Sequence, residues 1–359
     1  MPFLASRILA CGSFDLMMMA GSPLITTRRP SPPAEVVEAL PTLDGEEATP
    51  AAPAAPVSTA NPVAQAYQAL LQTAVQIFAA AAEGRELEGH RLVRPLKQAL
   101  ALLQQDEALL TETVRHRNSE RTFPQRAANT ALLSMRMGLE VEYEERRILS
   151  LGLCALMHDL GMVSLPAELL EAQRFTPEQR ALLHRHPLES QRLVQAFGKG
   201  FAWIGKIVVQ IHERSDGTGY PAGLKGEQIH EFARIIGLAD TYEAMVHPRP
   251  DREARAVYHV VKEIIDLRNT LFDRQLVKAL IHIVSIFPLG SLVKLNNEEI
   301  GRVVGTSRLH PTRPTVEILL DGRGRRLNPP RLIVLEEEPM VYVVDPAIEE
   351  SVLYKSKDG

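Results

Sequence analysis

Apolar residues recur every three to four positions from Val63 to about Phe287, and that period predicts a chain that is helical through most of this length. Val63, Tyr67, Leu70, Ala74 and Phe78 form one stripe behind Asn61-Pro62, a cap residue followed by a first-turn proline. Gly84 and Gly89 interrupt it, and Leu92, Leu96, Leu100, Leu103, Leu110 and Val114 mark a second amphipathic helix. Further helices are expected over 127–138, 144–160, 204–213, 231–246 and 252–265. Thr176-Pro177-Glu178-Gln179 reads as a capping box that opens another, running to about residue 197. After Pro288 the period falls to two over 291–295, 300–304 and 314–320. Asn296-Asn297, Asp321-Gly322 and Gly324 punctuate these runs as turns.

The fold class expected is therefore mainly α: a helical bundle, a small C-terminal β module of three to five strands, and a disordered N-terminal tail. Ten of the 25 prolines fall in the first 62 residues, where Pro, Ala, Thr and Glu mix without period. The expected divisions are a low-complexity tail over 1–60, N-terminal helices over 61–115, a central domain over 116–287, the β module over 288–345 and a tail over 346–359.

Apolar residues make up 45% and charged residues 23% of 359 positions, enough to bury a core. A net charge of −4 provides no basic field, which argues against duplex nucleic acid as a partner. Two cysteines, Cys11 and Cys154, exclude a disulfide scaffold and a cysteine-rich zinc site, and fit a reducing compartment. No run of about 18 apolar residues predicts a membrane span. Met1 to Ile25 lacks the order of a signal peptide, so a cytoplasmic location is expected.

Six of the eleven histidines lie between positions 158 and 247, several beside carboxylates. His158-Asp159, His184 and His186, His212-Glu213 and Asp240 fall on different predicted helices. Nitrogen and oxygen donors spread in this way suggest a divalent metal inside a bundle, where a bound cation activates water and steadies charge on a phosphoryl oxygen. Taken singly, each has a plainer explanation. A His-Asp pair is commonly a helix-end hydrogen bond, His184 fits the surface, and Asp216-Gly217-Thr218-Gly219-Tyr220-Pro221 is a turn.

The joint order changes that estimate. His158-Asp159, His186, His212-Glu213 running into Asp216-Gly-Thr-Gly219-Tyr220-Pro221, Arg234 to Asp240, and Arg249-Pro250 resemble the HD-GYP family over roughly residues 116–287. The β module also resembles the extension that often follows that domain. The resemblance implies an HD-type helical bundle, hydrolysis of cyclic di-GMP to a linear dinucleotide or GMP, and iron or manganese as cofactor. It places His158, Asp159, His186, His212 and Asp240 at metal positions, with His158 and Asp159 at the catalytic pair. Arg249, Arg252 and Tyr220 fall at substrate positions.

Three positions depart from that pattern. Ile211 stands where a histidine is usual, Met162 where a lysine is usual, and Arg126 where a histidine on the preceding helix is usual. His116 is the nearest upstream histidine, in another helix register. A guanidinium is a permanent cation that holds phosphate but generates no hydroxide. At most one tightly bound ion is therefore expected, with Arg126 joining the substrate contacts and hydrolysis reduced or lost. The competing reading is a catalytically silent module that binds cyclic di-GMP or another cyclic dinucleotide, or docks a signalling protein. The N-terminal helices are expected to pad the bundle or to form a homodimer seam.

Overall fold

The computed structural model describes residues 61–105, 109–110, 122–170, 175–247, 255, 257–287, 289–307 and 310–346. The expected tail over 1–60, His116, Arg249, Arg252 and residues 347–359 lie outside that set. The described residues fall into two compact units, 61–284 and 285–346.

The first unit is helical. Helix α1 (Pro62–Glu83) starts where the Asn61 side chain accepts the Val63 amide, and ends at Gly84 with φ +66°. Helix α2 spans Gly89–Gln105. Helix α3 (Phe123–Glu140) opens on Thr122, whose hydroxyl accepts the Gln125 amide, and packs along α4 (Glu145–Met157). The stretch Glu145–Ser164 has a mean hydropathy of 1.2, enough by length and composition to cross a membrane. In the fold 78% of it is buried, which makes it the central helix of the core.

That stretch is not one helix. The chain leaves the α conformation at Asp159, one residue after the still α-helical His158, and continues as a 3-10 turn over Leu160–Ser164. Short helices follow at α5 (Ala167–Leu170) and α6 (Pro177–Leu183). The capping box at Thr176 and Gln179 forms with both hydrogen bonds in place. The helix expected to run on to residue 197 breaks at His184–Arg185 and restarts as α7 (His186–Ala196). Pro187 explains the break, because it lacks an N–H and its ring collides with the carbonyl four residues back. Next come α8 (Ala202–Val208), α9 (Glu231–Val246), α10 (Val257–Asp266) and α11 (Arg274–Ile283). Helix α8 ends five residues before the predicted limit, and a turn carries the chain to His212.

The second unit is a five-stranded antiparallel sheet in the order β4-β3-β2-β1-β5. Its strands are β1 (Leu292–Leu295), β2 (Ile300–Gly305), β3 (Thr315–Leu320), β4 (Arg326–Val334) and β5 (Val343–Asp345). Val316, Ile318 and Leu320 alternate with half-buried neighbours, as the period of two predicts. The edge strand β4 carries Pro329 and Pro330, both exposed.

Gly161 is the closest point between the 3-10 turn and α7. Its amide donates to the Ser190 hydroxyl at 2.8 Å, and a Cβ there would overlap the His186 carbonyl oxygen. The obstacle is backbone, so it cannot rotate away. Gly161→Ala is expected to destabilise the chain by about 2–3 kcal/mol, the upper part of the range for overpacking. Urea unfolding reads this directly, and an unchanged midpoint would contradict the close approach.

Candidate metal centre

Each break in helical continuity delivers a donor to one place. The stop after Met157 turns His158 and Asp159 inward, each 1% exposed. The restart at α7 puts His186 at its first position, and the turn after α8 presents His212. Asp240 comes from the middle of α9 and Arg126 from the first turn of α3. These six side chains meet at the same interior point.

Asp159 sits between two groups of donors. Its Oδ1 lies 3.2 Å from His186 Nε2 and 3.4 Å from His212 Nε2, while its Oδ2 lies 3.4 Å from His158 Nε2. His158 Nε2 is also 3.4 Å from Asp240 Oδ1. The donor atoms of Asp159, His186 and His212 lie within 4.8 Å of one another, and so do those of His158, Asp159 and Asp240.

The hydrogen bonds around the rings test whether a metal fits. His158 Nδ1 lies 2.8 Å from the Ala155 carbonyl, and His186 Nδ1 lies 2.7 Å from the Leu183 carbonyl. A carbonyl only accepts, so each Nδ1 carries a proton and each Nε2 is the nitrogen left to face the carboxylates, where a metal would replace any second proton. Orientation of a ligand histidine by a backbone carbonyl is usual at metal sites. His158 Nε2 is buried, faces two carboxylates and makes no hydrogen bond among the described residues. His186 and His212 set Nε2 against Nε2 at 2.9 Å. Lone pairs that converge on carboxylates call for a cation, and the donor set suits a divalent transition metal.

One cation is already there. Arg126 places Nε 3.0 Å and Nη2 2.7 Å from Asp240 Oδ1, and Nη1 3.2 Å from Asp159 Oδ2. Helix α3 thus adopts the register in which Arg126 faces the centre. Burial pushes the Asp240 carboxyl up, but the Arg126 guanidinium and His158 outweigh it and hold the group well below the usual carboxylate range. Asp159 is held low in the same way, by His158 and Arg126 against burial. Burial lowers His158, yet Asp159 and Asp240 overcome that and its pKa is raised. His212 goes the other way, pushed down by burial to about 4, so its ring is neutral near pH 7.

The departures from the family pattern lie around this centre. Ile211 is 1% exposed and packs in the core, with its carbonyl accepting from Arg214 at 3.2 Å. Met162 is buried in the 3-10 turn. Tyr220 stacks on His212, with centroids 5.1 Å apart and planes at 7°. His184, expected at the surface, is half-buried and stacks on the opposite side of Tyr220 at 3.9 Å.

Sequence reasoning gave no role to Glu213, Asn129 and Glu243, which order the site. Glu213 accepts the amides of Ala222, Gly223 and Leu224 at 2.7–3.1 Å and so ties the Gly-Tyr-Pro loop to the residue beside His212. Gly219 lets this loop close, since a Cβ would overlap the Glu213 backbone. Asn129 and Glu243 form a buried layer beneath Arg126, with Asn129 Nδ2 donating to Glu243 Oε1 at 3.2 Å. Glu243 follows Asp240 by three positions on α9, and that spacing was the available signal.

Comparison with known proteins agrees with this geometry. Residues 107–276 match the HD domain family, and residues 292–355 match the KOW domain associated with HD domains. The first match covers the stretch that carries the His-Asp cluster, and the second covers the sheet. The chain is a distant homologue of the HD-GYP cyclic di-GMP phosphodiesterases. It is 28% identical over 236 residues to cyclic di-GMP phosphodiesterase PA4108 of Pseudomonas aeruginosa, covering 66% of this chain and 56% of that protein. It is 33% identical over 162 residues to the response regulator RpfG of Xanthomonas campestris pv. campestris, a cyclic di-GMP phosphodiesterase, covering 44% of this chain and 42% of that protein. A 3'3'-cGAMP-specific phosphodiesterase of Vibrio cholerae is 35% identical over 133 residues, covering 36% of this chain and 29% of that protein. The chain spans about half or less of the length of these relatives. Among solved structures, Bd1817 of Bdellovibrio bacteriovorus, an HD-GYP-type protein, shares the fold with a TM-score of 0.52 at 18% identity, covering 63% of this chain and 73% of that one.

Removing Arg126 would leave Asp240 and Asp159 buried without their guanidinium. Arg126→Ala is expected to destabilise the metal-free protein by about 3–5 kcal/mol, as when one partner of a buried ion pair is lost. The urea midpoint measures this, and an unshifted midpoint would show that Arg126 is not the counter-ion.

Proposed function

We propose that this chain is a metal-dependent phosphodiesterase acting on cyclic di-GMP or a related cyclic dinucleotide, with one tightly bound iron or manganese ion. The observation that carries this reading is the pinned orientation of His158 and His186, whose Nδ1 atoms are tied to backbone carbonyls so that each Nε2 meets the Asp159 carboxylate. Asp159, His186 and His212 would hold the ion, because Arg126 occupies the other half of the centre through Asp240. A divalent ion there lowers the pKa of bound water and screens charge on a phosphoryl oxygen.

The chain's own residues supply the remainder. Arg126 offers a guanidinium to a non-bridging phosphate oxygen, where a second metal would otherwise sit. Asp240 holds Arg126 in place, and Asp159 links it to the metal half. Neutral His212 is ready to bind metal without first losing a charge. Tyr220, clamped between His184 and His212, lines the approach. Arg249 and Arg252 complete the phosphate contacts by resemblance. The occupied second half also favours an alternative, a module that binds the nucleotide without cutting it, since a guanidinium provides no hydroxide.

Metal content and product analysis test both. Protein purified without oxygen and supplied with Mn²⁺ is expected to hold one ion per chain and to convert cyclic di-GMP to linear dinucleotide or GMP. His186→Ala is expected to lose both properties. Two or more ions per chain would refute the single-ion centre. Binding of intact cyclic di-GMP without turnover at high protein concentration would establish the alternative.

A further inference from the structure

We infer that Tyr67, on a helix outside the matched HD domain, is a positioning residue for Arg126, and that α1 thereby governs how the centre divides its carboxylates between guanidinium and metal. The inference deepens the proposed function, and its positioning half stands without it.

Tyr67 is 1% exposed on α1, at the end of a buried polar path. Its hydroxyl donates to Asn129 Oδ1 at 2.9 Å. That bond sets the amide's orientation: Oδ1 faces Tyr67, so Nδ2 faces Glu243 and donates to Oε1 at 3.2 Å. Glu243 is 0% exposed, and its Oε2 lies 4.0 Å from Arg126 Nε. His247 Nδ1 approaches Glu243 Oε1 at 3.4 Å from the end of α9. Arg126 thus stands between Glu243 on one side and Asp240 with Asp159 on the other.

Packing alone does not ask for this chain. Phenylalanine would fill the space of Tyr67, and a buried hydroxyl costs free energy unless it is bonded. The bond fixes Asn129, and Asn129 satisfies part of the Glu243 charge. Without the hydroxyl the amide keeps only its bond to Glu243 and loses its second anchor, so it holds Glu243 less firmly and Glu243 draws more strongly on Arg126. The guanidinium then shifts from Asp240 towards Glu243 and opens the half formed by His158, Asp159 and Asp240. Buried polar chains couple in this way because the interior screens them weakly. Helix α1 packs on α3, which carries both Asn129 and Arg126, so a partner that moves α1 acts on the same link.

Calorimetric titration of the full chain with Mn²⁺, together with urea unfolding of the metal-free protein, tests the inference. The set is wild type, Tyr67→Phe, Arg126→Ala and the double variant. Tyr67→Phe is expected to bind Mn²⁺ about three- to tenfold tighter, the equivalent of one net hydrogen bond, or to admit a second ion. The gain should vanish in the Arg126→Ala background, and the two urea shifts should not add. A purely structural tyrosine gives additive urea shifts and the same Mn²⁺ affinity with or without its hydroxyl, which would overturn the inference. Asn129→Leu cuts the same link without touching α1 and must reproduce the result, so a poorly folding Tyr67→Phe leaves the test intact. Wild type that binds no Mn²⁺ while the urea shifts stay non-additive would refute the metal reading and leave the positioning role standing.

Discussion

The contact between Arg126 and the Asp159–Asp240 pair sets the terms for the whole helical unit. Asp159, Asp240 and Glu243 are carboxylates carried into a dry interior, where an uncompensated charge costs several kcal/mol. The fold answers with the Arg126 guanidinium and a group of imidazoles of graded basicity. His158 is pressed towards its charged form by two acids, and His212 is held neutral by burial. The same acids that need a counter-ion for folding are the groups that chemistry on a phosphate would use. Under the proposed function, stability and reactivity would draw on one set of charges.

Helix interruptions do the positioning. An unbroken α4 would point residues 158 and 159 in directions about 100° apart around one cylinder. The 3-10 turn after Met157 brings both side chains to the interior. Pro187 performs the matching task on α7, ending one helix and starting the next so that His186 leads into the centre. Gly161 then locks the two interruptions together by backbone contact.

Much of this was readable in the sequence, and the gaps have physical causes. Helical periodicity located α9 over 231–246 to the residue, and the capping box at Thr176 formed as its residues require. The same periodicity ran through the interruptions at His158 and His184, because apolar spacing reports burial and not backbone conformation. His186, His212 and Asp240 were visible as a spaced set of donors, and Arg126 as a foreign residue in that set. Glu213 and Asn129 were not visible. Their work is to bond backbone amides or another buried side chain, and such partners leave no spacing in the chain. His184 looked like surface because nothing local announces a stacked tyrosine 36 positions away.

The edge strand of the β unit has a consequence of a different kind. Pro329 and Pro330 remove two consecutive amide donors from β4, the last strand on its side of the sheet. Successive amides on a strand point to opposite edges, so a foreign strand that tried to zip onto that margin would meet a ladder with a donor missing. The sheet is closed to growth there, so crowded chains are kept from joining into ribbons along this border.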